Sequence, residues 1–164
     1  MKVIPAPTRP GQESVWSYPR PAIAEPCTRR LRIVHFGVVV ADTSNGIRTL
    51  ETSHPPGYYF PPSDIAPHVL RPSPRRSVCE WKGEATYFDV VVGEQTHRDV
   101  AWSYSDPDPG FQTLRDYVAL YAWPFEACYV DDERVTPQPG NFYGGWITSD
   151  IAGPFKGAPG TMSW

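Results

Sequence analysis

The chain has no C-x-x-C pair, no H-E-x-x-H and no run approaching the roughly 20 apolar residues that a transmembrane helix needs. A structural zinc site requires four well-placed nitrogen or sulfur ligands. Neither the four histidines (His35, His54, His68, His97) nor the three cysteines (Cys27, Cys79, Cys128) are spaced for one. No metal, no cofactor and no membrane are therefore expected. An odd cysteine count, and an N-terminal stretch "MKVIPAPTRPGQE" without an apolar signal-peptide core, lead us to expect free thiols and a cytoplasmic location. Basic charge is lacking too. Fifteen Lys and Arg stand against 18 Asp and Glu, for a net charge of -3 and a pI near 5.8, whereas nucleic-acid binders usually carry a basic face. The basic runs "TRRLR" (28–32) and "RPSPRR" (71–76) read as solvated faces or loops, a phosphate contact being the alternative.

Proline is what the chain has in excess: 20 of 164 residues, more than twice the usual share of roughly 5%. Proline lacks an N–H and fixes φ, so it is kept out of helix interiors and central strands. With 40% apolar and 13% aromatic residues, the composition predicts a mainly β (α+β) fold: one compact antiparallel-sheet domain spanning 1–164, with long Pro/Gly-rich loops. Residues 1–26 read as an extended N-terminal arm pinned by Trp16 and Tyr18, 27–136 as the core, and 137–164 as a Gly/aromatic extension packing on it.

Within the core, Leu31, Ile33 and His35 alternate with Arg30, Arg32 and Val34, the period of a half-buried strand. Gly37 permits a turn into "VVVAD", and "IRTLET" is a third short strand. Residues 53–77 read as a long Pro-punctuated loop with one helical turn at 63–70, N-capped by Ser63 or Asp64. "EATYFDVVVG" and "HRDVAWSYS" form a strand pair turning at Gly93-Glu94-Gln95, and a last hairpin turns at Asp131-Asp132. One helix is predicted over 111–123, from the spacing of Phe111, Leu114, Tyr117 or Val118, and Tyr121, with Pro124 ending it.

Four residues are candidates for catalysis. Cys79 can act as a nucleophile if a cation lowers its pKa, or it is a small buried core residue. Lys82 is the nearby cation, but residues three apart on a strand point to opposite faces, so the pair requires a turn or bulge at Glu80–Gly83. Lys82 also suits an anionic ligand. Glu51 and His54, separated by two residues in "LETSHPPGYY", are an acid–base pair in reach of each other, or partners for nearby cations and a turn. Tyr58 and Tyr59 project from the same loop. Trp81, Tyr87, Trp102 and Tyr104 lie on two strands expected to pair, so they converge either as a ligand-binding wall or as core.

"LETSHPPGYYFPPSD" and "CEWKGEATY", with "AWSYSDP" and the stretch from "FQTLRDYVALYAW" to the last residue, resemble a family of bacterial and fungal proteins catalogued as domain of unknown function number 427. The resemblance runs from about Val15 to Trp164, and the C-terminal extension is similar to the form found in cyanobacteria. It implies a β-tent fold related in shape to Mss4-like domains and no established activity. It locates Glu51, His54, Tyr58, Cys79, Trp81, Lys82, Tyr87, Trp102 and Tyr104 around the 51–60 loop. Some catalogues attach a nucleotidyltransferase label to the family. No Gly-rich phosphate loop accompanies it here, and the D-x-D spacing of Asp106 and Asp108 lies among prolines and reads as a turn. The paired zinc-binding cysteines of Mss4-like domains are missing as well.

The leading expectation is a cytoplasmic small-molecule-binding domain with an aromatic pocket, Lys82 meeting an anionic group. An enzyme working through Glu51, His54, Cys79 or Lys82 is the second reading. The third is a scaffold whose arm and tail bind a partner or a second copy, making a homo-oligomer.

Overall fold

The computed structural model describes residues 2–164. Three sheets carry the fold. The first places β5 (Gly46–Leu50) between β2 (Ile23–Cys27) and β6 (Gly57–Tyr59). The second runs in the order β12 (Glu133–Arg134), β11 (Ala127–Val130), β3 (Leu31–His35), β4 (Val38–Thr43). The third runs β10 (Val118–Leu120), β9 (Gln95–Ser103), β8 (Gly83–Val92), β7 (Leu70–Cys79). All pair antiparallel. Two short pairs tie in the ends: β1 (Glu13–Ser14) lies parallel to β15 (Ile151–Ala152), and β13 (Thr136–Pro137) antiparallel to β14 (Trp146–Ile147). Among the described residues no helix is long and apolar enough to cross a membrane.

The hairpins form where the backbone can turn left-handed. Phe36 and Gly37 join β3 to β4 with φ of 46° and 83°, the two positive values of a two-residue primed turn. Gly93-Glu94 and Asp131-Asp132 close the next two hairpins, since Val92 pairs with Gln95 and Val130 with Glu133. On β3, Leu31, Ile33 and His35 are buried while Arg32 and Val34 are half-exposed, as the period-two pattern predicts.

The loop reading of 53–77 needs correction. It holds β6, a 3-10 turn at Pro62–Asp64, and from Leu70 onward the edge strand β7. Pro72 and Pro74 fit there because an edge strand leaves one row of N–H positions unpaired, and the β7–β8 register slips between Pro72 and Arg76. The 3-10 turn has no side-chain N-cap. Asp64 instead accepts a hydrogen bond from the Thr43 hydroxyl (2.7 Å).

The helix expected over 111–123 does not form. Pro109–Leu114 is a 3-10 segment broken at Phe111, Asp116 turns the chain at φ 63°, and β10 follows. Val118 exchanges both backbone hydrogen bonds with Phe60 (2.8 and 2.9 Å) and β10 pairs with β9. Strand pairing of the β-branched, fully buried Val118 outweighs a modest helix propensity.

Two cores meet along β6 and β9. Tyr58 and Phe60 enter the larger one with Leu31, Ile33, Val40 and Trp146, while Tyr59 enters the smaller with Tyr87, Tyr104, Phe111 and Leu114. Trp102 packs against both. The tail contributes Trp146, only 1% exposed, against Tyr58 and Phe60 at centroid distances of 5.4 and 6.0 Å. It also holds the arm, for the Trp16 indole donates to the Pro154 carbonyl (2.8 Å). Truncating a buried aromatic to Ala typically costs about 3–5 kcal/mol. Urea denaturation of Trp146→Ala is expected to show a loss of about that size, and a loss under 1 kcal/mol would mean that the tail only decorates the core.

Candidate functional site

A cavity of about 310 Å³ lies where the 49–59 segment, the β7–β8 hairpin, β9 and the C-terminal segment face one another. Its walls are aromatic. Tyr87 and Trp102 are direct cross-strand partners with ring centroids 6.4 Å apart, and Tyr59 and Tyr104 are also 6.4 Å apart. Trp81 completes the rim, and Phe142 and Tyr143 stand over it from the C-terminal segment. Gly144 is what lets that segment close. A Cβ there would overlap the far edge of the Trp102 indole, so any other residue would push the segment or the ring away. Burial raises the pKa of the Tyr59 and Tyr104 phenols above the ordinary phenol range.

The polar groups come from separate segments. Cys79 pairs with Gly83, so Glu80-Trp81-Lys82 forms a three-residue turn, closed by Gly83 at φ 105°. The turn folds Lys82 back onto the strand it left, and its ammonium donates to Cys79 Sγ at 3.3 Å. Burial pulls the Lys82 pKa down, but Tyr59, Cys79 and Glu51 outweigh it, and the net shift is upward. Lys82 is therefore held as a cation. Lys156, buried, donates to the Trp164 carbonyl (3.2 Å) and sits 5.3 Å from the Tyr143 ring centroid. Glu51 lies 3.7 Å from Arg20 and 3.6 Å from His54 Nε2.

His54 is 9% exposed, with its ring 4.7 Å from that of Tyr143 and its Nδ1 3.1 Å from Gln138 Nε2. Burial, then the charges of Lys156, Lys82 and Arg20, lower its pKa to about 3. The Glu51–His54 contact is thus between a carboxylate and a neutral imidazole at neutral pH.

Of the residues singled out in the sequence, Glu51, His54, Cys79, Trp81, Lys82, Tyr87, Trp102 and Tyr104 all line this cavity. Tyr58 does not; it faces Trp146, and Tyr59 takes the place in the wall. Sequence reasoning missed Gln138 and Lys156. The available signal was weak: a lone lysine inside the Gly- and Pro-rich "GPFKGAPG", and the Gly pair in "NFYGGW". Asp106 and Asp108 lie outside the cavity, in the bend before the 3-10 segment, where the Asp108 amide donates to the Lys82 carbonyl (3.0 Å). Among the described residues no three His, Cys, Asp or Glu cluster closely enough to hold a metal ion.

A family model described as "Domain of unknown function (DUF427)" matches residues 23–131. No curated protein matches the chain. The matched span holds the aromatic wall, Glu51, His54, Cys79 and Lys82, while Gln138, Gly144 and Lys156 lie beyond it.

The state of His54 has a consequence for stability. Its ordinary pKa of 6.5 falls to about 3 in the fold, so the unfolded chain binds a proton over that interval and the folded chain does not. Its contribution is whole above pH 6.5 and is lost as pH falls toward 3. At about 1.36 kcal/mol per pH unit, going from pH 7 to pH 5 should cost the protein about 2 kcal/mol through this group. Urea titrations at the two pH values should show that increment in the wild type and its disappearance in His54→Gln. Equal pH sensitivity in both would show that His54 is not the group responsible.

Proposed function

The chain belongs to the DUF427 family, and we propose that it is a small-molecule-binding domain whose cavity takes a planar ring carrying an anionic group. One observation carries this: the Lys82 amine, 3.3 Å from Cys79 Sγ, is set in an aromatic-walled cavity of about 310 Å³. Aromatic walls bind flat ring faces, and a few fixed polar groups orient the ring. Lys82 and Lys156 stand against Glu51 and the exposed Glu80, and Arg20 offsets Glu51. The balance favours an anion. A lysine held as a cation is a poor amine nucleophile, so ion pairing is the role that suits Lys82.

The competing reading is thiol chemistry at Cys79, for which the observation is its 3.3 Å contact with the Lys82 ammonium. Cys79 is half-buried, whereas Cys27 and Cys128 are buried, so alkylation discriminates between the three.

Benzoate, benzamide and benzylamine present the same ring with negative, neutral and positive groups. Benzoate at a hundred times its dissociation constant is expected to stabilise the fold by about 2.7 kcal/mol in thermal melts. Lys82→Met should remove the preference for benzoate, and Gly144→Ala should block all three by displacing Trp102. Equal shifts for benzoate and benzylamine would overturn the anionic reading. Rapid iodoacetamide labelling of Cys79 that benzoate does not protect against would favour thiol chemistry instead.

A further inference from the structure

The buried amide of Gln138 settles which nitrogen of His54 carries the proton. The Gly145 amide donates to Gln138 Oε1 at 2.9 Å, which fixes the amide orientation. Its nitrogen then donates to the Lys156 carbonyl at 2.8 Å and to His54 Nδ1 at 3.1 Å. An amide nitrogen has two hydrogens and no acceptor capacity, so Nδ1 must be the unprotonated, accepting nitrogen. The hydrogen of the neutral ring sits on Nε2. The Glu51 carboxylate oxygen Oε2 lies 3.6 Å from it, beyond hydrogen-bond length. The donor is therefore unspent, on a ring that lines the cavity and is nine-tenths buried.

We propose that Gln138 is a positioning residue that locks His54 as a neutral Nε2–H donor, so that the cavity reads a hydrogen-bond acceptor on its ligand beside the Lys82 ammonium. This rests on the small-molecule reading above and narrows it. The ligand class becomes a planar ring bearing a carboxylate or carbonyl oxygen. An ammonium alone attracts any anion from any direction; a fixed N–H on a rigid ring demands a lone pair at one place. The groups facing His54 agree with a neutral donor. Lys156, Lys82 and Arg20 oppose a second proton on the ring, Glu51 is too far to accept, and Tyr143 meets the ring as an aromatic neighbour. Gln138 itself is 4% exposed and uses both amide hydrogens and its oxygen within the protein.

The test begins with the ligand-free protein. Long-range ¹H–¹⁵N correlation spectra of the imidazoles are expected to show His54 with a pyridine-like Nδ1 and a protonated Nε2, unchanged from pH 8 to pH 5. A protonated Nδ1, or an imidazolium at pH 5, overturns the proposal without any variant. Gln138→Glu presents a carboxylate that accepts from Nδ1–H, so the tautomer should flip and the ring should titrate. Gln138→Leu should leave a tautomer mixture. If both variants, folded by their melts, keep the wild-type spectrum, Gln138 is not the lock. Benzoate should move the His54 Nε2–H resonance in the wild type, and its affinity should fall about tenfold in Gln138→Glu, the scale of one lost hydrogen bond. Benzoate binding that leaves this resonance unmoved overturns the acceptor-reading role. Failure of benzoate to bind at all, with the tautomer as stated, removes the anionic-ring reading and leaves the lock standing.

Discussion

The site exists because the C-terminal segment is clasped to the 51–57 loop. Two backbone hydrogen bonds and one buried amide do the clasping. Trp146 N donates to Pro56 O and Lys156 N to Ser53 O, both at 2.9 Å, while Gln138 N donates to Gly145 O at 3.0 Å within the segment. The Gln138 side chain then bonds Gly145, Lys156 and His54 together. A buried polar group left without partners costs about 1–3 kcal/mol. An amide with every donor and its oxygen satisfied incurs no such penalty and admits few other arrangements. Without this clasp Lys156, Tyr143 and Gly144 would have no fixed relation to Trp102, and one side of the cavity would be open. Trp146 anchors the same segment by apolar contact, so packing supplies its stability and the amide its register.

Electrostatics in the cavity follow from that closure. Two lysines sit in the wall where burial works against their charge, and each is steadied by near neighbours: Lys82 by Cys79 Sγ and the Phe111 ring face, Lys156 by the Trp164 carbonyl and the Tyr143 ring. A cation–π contact and one hydrogen bond at each lysine recover part of what lost hydration costs. Both cations reach His54 and help hold it neutral. An anion bound there would relieve the cations, and on the proposed reading it would take its charge partner from the lysines and its direction from His54.

Much of this was legible in the sequence, and the failures have physical causes. Strands β3 and β8 largely alternate buried and more exposed residues, so Tyr87 could be picked out by parity, whereas β9 buries Val100, Ala101 and Ser103 around the half-buried Trp102. The Cys79–Lys82 contact was legible as a condition, since it needed a turn at 80–83, and Gly83 supplies it. The helix over 111–123 failed because Phe111, Leu114, Val118 and Tyr121 are indeed all buried, but a 3-10 segment and a strand bury the same set. Tyr58 and Tyr59 were both placed in the loop; a strand there sends them to opposite faces. Gln138 lies 84 residues from His54. No local pattern reports a bond that only the folded chain creates.

Size sets a limit that charge alone would not. At about 30 Å³ per water, the cavity holds roughly ten waters, the low end of the roughly 300–1,000 Å³ range of ligand sites. A single ring with one or two small substituents fits within it. A nucleoside triphosphate would have to leave its phosphates outside, and most arginines of the two basic runs are already engaged. Arg29 pairs with Asp131 and Asp150, Arg30 with Asp42, Arg75 lies over the Tyr87 ring, and Arg76 donates to backbone carbonyls. Recruiting any of them would break contacts that the fold uses. A small planar anion asks for nothing to be rearranged: Trp102 and Tyr87 offer ring faces, Lys82 a charge, and His54 a free N–H.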